Sequence, residues 1–252
     1  MKSNKIEFAS SQGDTLSARI DEPNGGISKG AVLFAHCFTC SKDLKAVGRI
    51  SHALTDQGMG VFRFDFTGLG ESEGDFADTN FSSNIEDLKA AASYMEKEWA
   101  TARMLIGHSL GGAAVLQATH QISSIEAVAT VGAPCNPEHV THLLVNKKDQ
   151  IKEQGKARVK LAGREFTIKK QFLDDLKEQK MNKMIKELDT PLIIFHSPVD
   201  KTVGIDNAAH IYKLAKHPKS FISLDDADHL LTNEEDARYV GSVAAAWVDR
   251  YL

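Results

Sequence analysis

RMLIGHSLGGAAVLQATHQI, residues 103–122, carries a short apolar stretch into a serine flanked by glycines and then into helical spacing. RMLIGH (103–108) predicts a strand, and LGGAAVLQATHQI (110–122) predicts a helix that opens at Leu110. Gly107-His108-Ser109-Leu110-Gly111 thus fits G-x-S-x-G at the strand-to-helix junction that the pattern needs. The glycines remove Cβ atoms that would clash as the turn tightens, so Ser109 can be held strained with its Oγ exposed. The helix start behind it favours negative charge beside the hydroxyl. A glycine-rich helix start with a serine cap would use the same five residues, so the distinction rests on the rest of the chain.

On either side of this junction, apolar runs alternate with amphipathic stretches, the pattern of a mainly parallel sheet covered by helices on both faces. Predicted strands are AVLFAH (31–36), GVFRFDF (60–66), IEAVATVGAP (125–134), PLIIFHS (191–197) and KSFISL (219–224). Predicted helices cover 43–58, 84–99, 207–216 and 234–252. KIEFAS and TLSARID flank the turn residues SQGD and predict an antiparallel hairpin at a sheet edge. Between Cys135 and about Leu188 the rhythm gives way to lysine- and glutamate-rich sequence, with a hairpin expected in ARVKLAGREFTI (157–168) and a helix in FLDDLKEQKMNKMIKEL (172–188). We expect a single domain over 1–252 with a cap inserted at about 136–188.

A net charge of −4 offers no basic excess to attract nucleic acid. No apolar run reaches the roughly 20 residues that span a bilayer, and MKSNKIEFASSQGD lacks the apolar core of a signal peptide, so a cytoplasmic protein away from membranes is expected. Three cysteines, Cys37, Cys40 and Cys135, are too few for a disulfide scaffold and agree with a reducing compartment. Oligomeric state leaves no trace in the sequence.

A serine hydroxyl needs a histidine base, and the histidine needs a carboxylate to fix its tautomer. Asp200 follows the strand 191–197, and His229 follows the strand 219–224, so Ser, acid and base come in the order that G-x-S-x-G proteins on such sheets use. Both loops sit where open α/β sheets bind ligands. Asp225, Asp226 and Asp228 are nearer to His229 in sequence but would have to fold back across a short loop. Most of the other nine histidines lie in or beside regular elements, where packing or solvation is the usual fate. Oxyanion donors are expected at the backbone N–H of Leu110 and, in the loop after 31–36, of Phe38. Cys37-Phe38-Thr39-Cys40 also spells C-x-x-C, but helical spacing starts only near Asp43, which argues against a thioredoxin-type pair.

With Ser109, Asp200 and His229 so placed, the chain resembles an α/β-hydrolase of the esterase and serine aminopeptidase-like branch. Asp65-Phe66-Thr67-Gly68-Leu69-Gly70-Glu71-Ser72 is similar to that branch's D-x-x-G-x-G-x-S loop. HCFTCSKD (36–43), 63–84, 106–114 and HPKSFISLDDADHLLT (217–232) resemble bacterial hydrolase domains often fused to an OsmC-like domain. Where that family commonly has glycine after the histidine of the oxyanion loop, this chain has Cys37, and glycine alone reaches positive φ without strain. The resemblance implies an enzyme that cleaves small carboxylic esters through an acyl-enzyme, with no cofactor and no metal. Amide or peptide hydrolysis and non-catalytic ligand binding are the alternatives on the same fold. The charged cap points to short or medium polar esters, with Phe166 and Phe172 as candidate pocket residues.

Overall fold

The computed structural model describes residues 1–161 and 163–252. Its strands are β1 (Lys2–Ala9), β2 (Thr15–Glu22), β3 (Ala31–Ala35), β4 (Gly60–Phe64), β5 (Ala102–His108), β6 (Ala127–Val131), β7 (Lys156–Leu161), β8 (Arg164–Lys169), β9 (Leu192–His196) and β10 (Lys219–Ser223). Its α-helices are α1 (Lys45–Asp56), α2 (Phe81–Glu98), α3 (Leu110–Ala118), α4 (Lys148–Gln154), α5 (Lys170–Glu178), α6 (Met181–Glu187), α7 (Asp206–Leu214) and α8 (Glu234–Val248).

Eight strands form one sheet in the order β1-β2-β4-β3-β5-β6-β9-β10, and β7 pairs with β8 in a separate hairpin. The pairs β1/β2 and β2/β4 are antiparallel and all others in the large sheet are parallel, as the edge hairpin and the apolar runs require. Residues of β3, β4, β6 and β9 are buried at every position, because helices cover both faces and a strand's alternate side chains therefore meet apolar layers on each side. Ile50 and Leu54 of α1 and Val240 and Ala244 of α8 pack with Val32, Val61 and Ile106 on one face. Leu88 of α2, Val115 of α3 and Ile211 of α7 pack with Leu33, Leu105 and Ile194 on the other.

Helix α2 begins three residues ahead of the expected start. Asn80 accepts the Ser83 N–H through its side chain while Ser83 Oγ accepts the Asn80 N–H, a reciprocal cap that fixes the first turn there. The helix expected over 172–188 is instead two, α5 and α6. Gln179 leaves the helical region (φ −68°, ψ 126°), and its amide donates to the Asp175 carbonyl and to Ser82 Oγ, ending α5.

The segment between β6 and β9 also contains a run of 3₁₀ turns, Pro137–Lys147, ahead of α4. Leu144, Ile151, Val159, Leu173 and Ile185 of this segment join the same apolar cluster as α2 and α3, so the segment is packed into the main core. Among the described residues no helix is long and apolar enough to cross a membrane.

Candidate active site

Parallel strands in this sheet all end at the same edge, and the loops beyond β3, β5, β9 and β10 bring four sequence-distant segments together there. Ser109 stands between β5 and α3 with φ 55° and ψ −124°. Such a conformation costs a non-glycine residue about 1–3 kcal/mol and persists only where its surroundings over-determine it. Here the Ser109 N–H donates to Val131 O at 2.8 Å, and the Gly112 N–H donates to Ser109 O at 2.8 Å. A Cβ on Gly107 would lie 2.3 Å from Gly111 O, and one on Gly111 would lie 2.5 Å from both Ala35 O and His36 O. Both flanking glycines are therefore spaces into which backbone has moved, and the Gly111 contact seats the turn against the end of β3.

His229 Nε2 lies 2.9 Å from Ser109 Oγ, and His229 Nδ1 lies 2.7 Å from Asp200 Oδ2. Because an ionised carboxylate only accepts, Nδ1 carries the proton and Nε2 presents its lone pair to the serine hydroxyl. Asp200 is nearly buried, and its Oδ1 accepts the N–H groups of Thr202 at 2.8 Å and Val203 at 2.9 Å. Burial pushes the Asp200 carboxyl up, but the hydrogen bonds from His229, Val203 and Thr202 outweigh it and hold the group below the usual carboxylate range. Asp228, one of the competitors near His229 in sequence, instead accepts from Thr232.

Phe38 and Leu110, nominated for their backbone N–H groups, line the same cavity as Ser109 and His229. The loop between them and β3 departs from expectation at the cysteines. Cys37 and Cys40 are joined in a disulfide, with Cα atoms 5.3 Å apart. A turn closed by the Cys40 N–H on Cys37 O at 3.0 Å brings them together without a helix, which starts only at α1. Positive φ falls on Thr39 (62°), two residues after the position where glycine was expected to matter. Arg164, at the start of β8, donates to Thr39 O and ties the β7–β8 hairpin to this loop.

Three histidines that sequence reasoning treated as ordinary core, or passed over, perform related tasks at this edge. The His36 Nδ1–H donates to Cys37 O at 2.8 Å, the His108 Nε2–H donates to His229 O at 2.7 Å, and the His196 Nε2–H donates to Val203 O at 2.7 Å. Each stands at or just beyond the end of a parallel strand, and each fastens one of the loops that carry Phe38, His229 and Asp200. Burial lowers the pKa of all three, to about 4 for His108, where the neighbouring His229 adds to the effect. They are neutral imidazoles at neutral pH, each with one N–H to give.

A buried ion cluster supports the Phe38 loop from below. Lys42 and Asp65 are both fully buried, with Lys42 Nζ 2.7 Å from Asp65 Oδ2 and 2.6 Å from Glu71 Oε2. Asp65 also accepts the backbone N–H groups of Lys42 and Glu71, so its carboxylate joins the loop after β3 to the loop after β4. Removing one partner of such a pair typically costs about 3–5 kcal/mol, because the other charge is left buried alone.

The cavity in front of Ser109 encloses about 350 Å³ and is walled by the loops described above, by the Pro137–Lys147 turns and by the end of β7. Phe172 does not reach it. It stacks on Phe38 at 5.6 Å between ring centroids, and Phe166 packs on Phe76 at 4.9 Å, so both serve as packing behind the site. Among the described residues no group of three or more His, Cys, Asp or Glu side chains is arranged to hold a metal ion.

Comparison with known proteins gives concordant relatives. The family model described as "Serine aminopeptidase, S33" matches residues 26–177. The crystal structure of the esterase domain of a Rhodothermus marinus protein is 47% identical and superposes with a TM-score of 0.82, covering 100% of this chain and 99% of that one. Est1E from Butyrivibrio proteoclasticus, solved with ferulic acid bound, has a TM-score of 0.82 over 98% of each chain at 17% identity, a likeness of fold alone. The uncharacterized protein YfhR of Salmonella typhimurium is 22% identical over 180 residues, which is 70% of this chain and 57% of that protein.

Proposed function

The chain belongs to the family described as serine aminopeptidase S33, within the α/β-hydrolases, and from that premise we propose that it is a serine hydrolase of carboxylic esters. The observation that carries the reading is the hydrogen-bonded row Asp200–His229–Ser109, at 2.7 and 2.9 Å, in one tautomer throughout. His229 takes the Ser109 proton as Oγ attacks the ester carbonyl. Asp200 holds the imidazole and stabilises its charged form. The N–H groups of Leu110 and Phe38 receive the oxyanion, an interaction typically worth about 3 kcal/mol per donor. His229 then protonates the departing alkoxide, and water attacks the acyl-enzyme with His229 as base again. The segment of about 136–188, which walls the cavity, acts as the cap that selects substrates.

Ester rather than aminopeptidase chemistry is favoured by the cavity itself. A free peptide N-terminus is an ammonium and asks for a carboxylate partner, and among the described residues no Asp or Glu lines the space in front of Ser109. Ser109→Ala is expected to lower kcat on p-nitrophenyl butyrate by about 10³-fold or more and to abolish labelling by a fluorophosphonate probe. An unlabelled wild-type protein would favour a ligand binder on this fold; equal turnover by the variant would remove Ser109 from the mechanism.

A further inference from the structure

The cavity in front of Ser109 has two distinct ends. At one, the His139 Nε2–H donates to Thr202 O at 3.0 Å and sets the Pro137–Lys147 turns over the Asp200 loop, beside His229 and Leu230. At the other, Arg164 donates to Thr39 O and so ties the β7–β8 hairpin to the Cys37–Cys40 turn, and Lys160 and Leu161 of β7 line the cavity together with that turn. If Ser109 attacks an ester, the alkoxy oxygen has to lie near His229 Nε2 to be protonated, while the carbonyl oxygen turns to Phe38 and Leu110. The acyl substituent is then directed away from His229, toward Lys160.

The charge at that end opposes the charge of the chain. Lys160 is exposed, and among the described residues no carboxylate lies within 4.0 Å of its ammonium or lines the cavity. An adjoining groove, which shares Leu143 and Lys160 with the cavity, adds Lys147 and Arg158 and one carboxylate, that of Glu165, which stands opposite Lys160 in the β7–β8 pairing without forming an ion pair within 4.0 Å. One cation, Lys160, thus lines the apolar cavity, and Lys147 and Arg158 line the groove beside it, in a protein of net charge −4. A cation beside low-dielectric walls attracts an anion more strongly than one on an open surface.

We propose that the preferred substrates are hemiesters, esters of dicarboxylic acids with one carboxylate free, and that Lys160 is the specificity-determining residue that pairs with that carboxylate. The inference rests on the serine-hydrolase reading and adds the class of acyl group. Its test is the ratio of kcat/KM for monoethyl adipate to kcat/KM for ethyl hexanoate, two acyl chains of equal length, followed by ethanol release. Measurements use the 252-residue wild type, Lys160→Met and Lys160→Glu, with unfolding temperatures confirming that the variants fold. The expected wild-type ratio exceeds one, falls up to about fivefold in Lys160→Met and about tenfold or more in Lys160→Glu, and shrinks in 1 M NaCl as the pair is screened. One ratio shared by all three proteins overturns this inference alone. Turnover of neither ester by the wild type overturns the hydrolase reading, and the inference with it.

Discussion

Replacing Asp200 by asparagine changes one oxygen for nitrogen and, on the geometry described, reverses the imidazole. Asp200 Oδ1 accepts from two backbone donors, the N–H groups of Thr202 and Val203, at 2.8 and 2.9 Å. An asparagine keeps those bonds only if its oxygen stays there, since the flipped amide would set NH₂ against two donors at a cost of about 2–3 kcal/mol. Its nitrogen therefore faces His229 Nδ1, 2.7 Å away in the wild type, and donates to it. Nδ1 becomes an acceptor, the proton moves to Nε2, and Nε2 then points an N–H at Ser109 Oγ where a lone pair is required. The expected loss in kcat is about 10⁴-fold, equivalent to ~5.5 kcal/mol in the barrier, by analogy with the corresponding substitution in a well-studied serine protease. Hydrolysis of p-nitrophenyl butyrate at pH 7.5 measures it, with unfolding temperature as the check on structure. An Asp200→Asn protein within tenfold of wild type would refute the claim that the two backbone donors dictate the tautomer.

Asp87 gives a prediction about stability and pH. Burial pushes its carboxyl up to about 6, against the stabilising bonds from the Thr67 N–H and hydroxyl. The folded state thus binds this proton more tightly than the unfolded chain, so Asp87 adds stability as pH falls through 6 toward 4 and loses it as pH rises. Over that window the raised carboxyl is worth up to about 3 kcal/mol. In urea unfolding, Asp87→Asn is expected to gain on wild type by about that much between pH 4 and pH 7; a pH-independent difference counts against it. Reduction of Cys37–Cys40 by dithiothreitol, or Cys40→Ser, should lower kcat severalfold with KM little changed, because the pair brackets the Phe38 N–H. Unchanged kcat in both would show that His36, Arg164 and the Lys42–Asp65 pair suffice to hold that loop.

The sheet could be read from the sequence because its signals are local. A buried parallel strand is a continuous apolar run, and Val32-Leu33-Phe34 or Ile193-Ile194-Phe195 announces itself without knowledge of any partner. Ser109, Asp200 and His229 could be nominated because order along the chain and position after a strand are also properties of the sequence. What supports them was not legible. His108 gives its proton to a carbonyl 121 residues away, and Lys42 is buried only because Asp65, 23 residues on, is buried with it. A histidine or lysine carries the same letter whether solvated or sealed in, and only the tertiary contact decides. The break at Gln179 and the Cys37–Cys40 turn were missed for the same reason: the first depends on Ser82 and the Asp175 carbonyl, the second on a reverse turn that composition does not mark.

The segment between β6 and β9 that walls the cavity shares its apolar side chains with the helices beneath it. A flap hinged on a loop can swing aside for a bulky guest. This roof is mortared to the floor through Leu144, Ile151 and Leu173, and displacing it would mean tearing open the interior of the molecule. Leu143 and Leu230, both left bare at the surface, border that cavity, so a guest meets apolar side chains before it meets the hydroxyl.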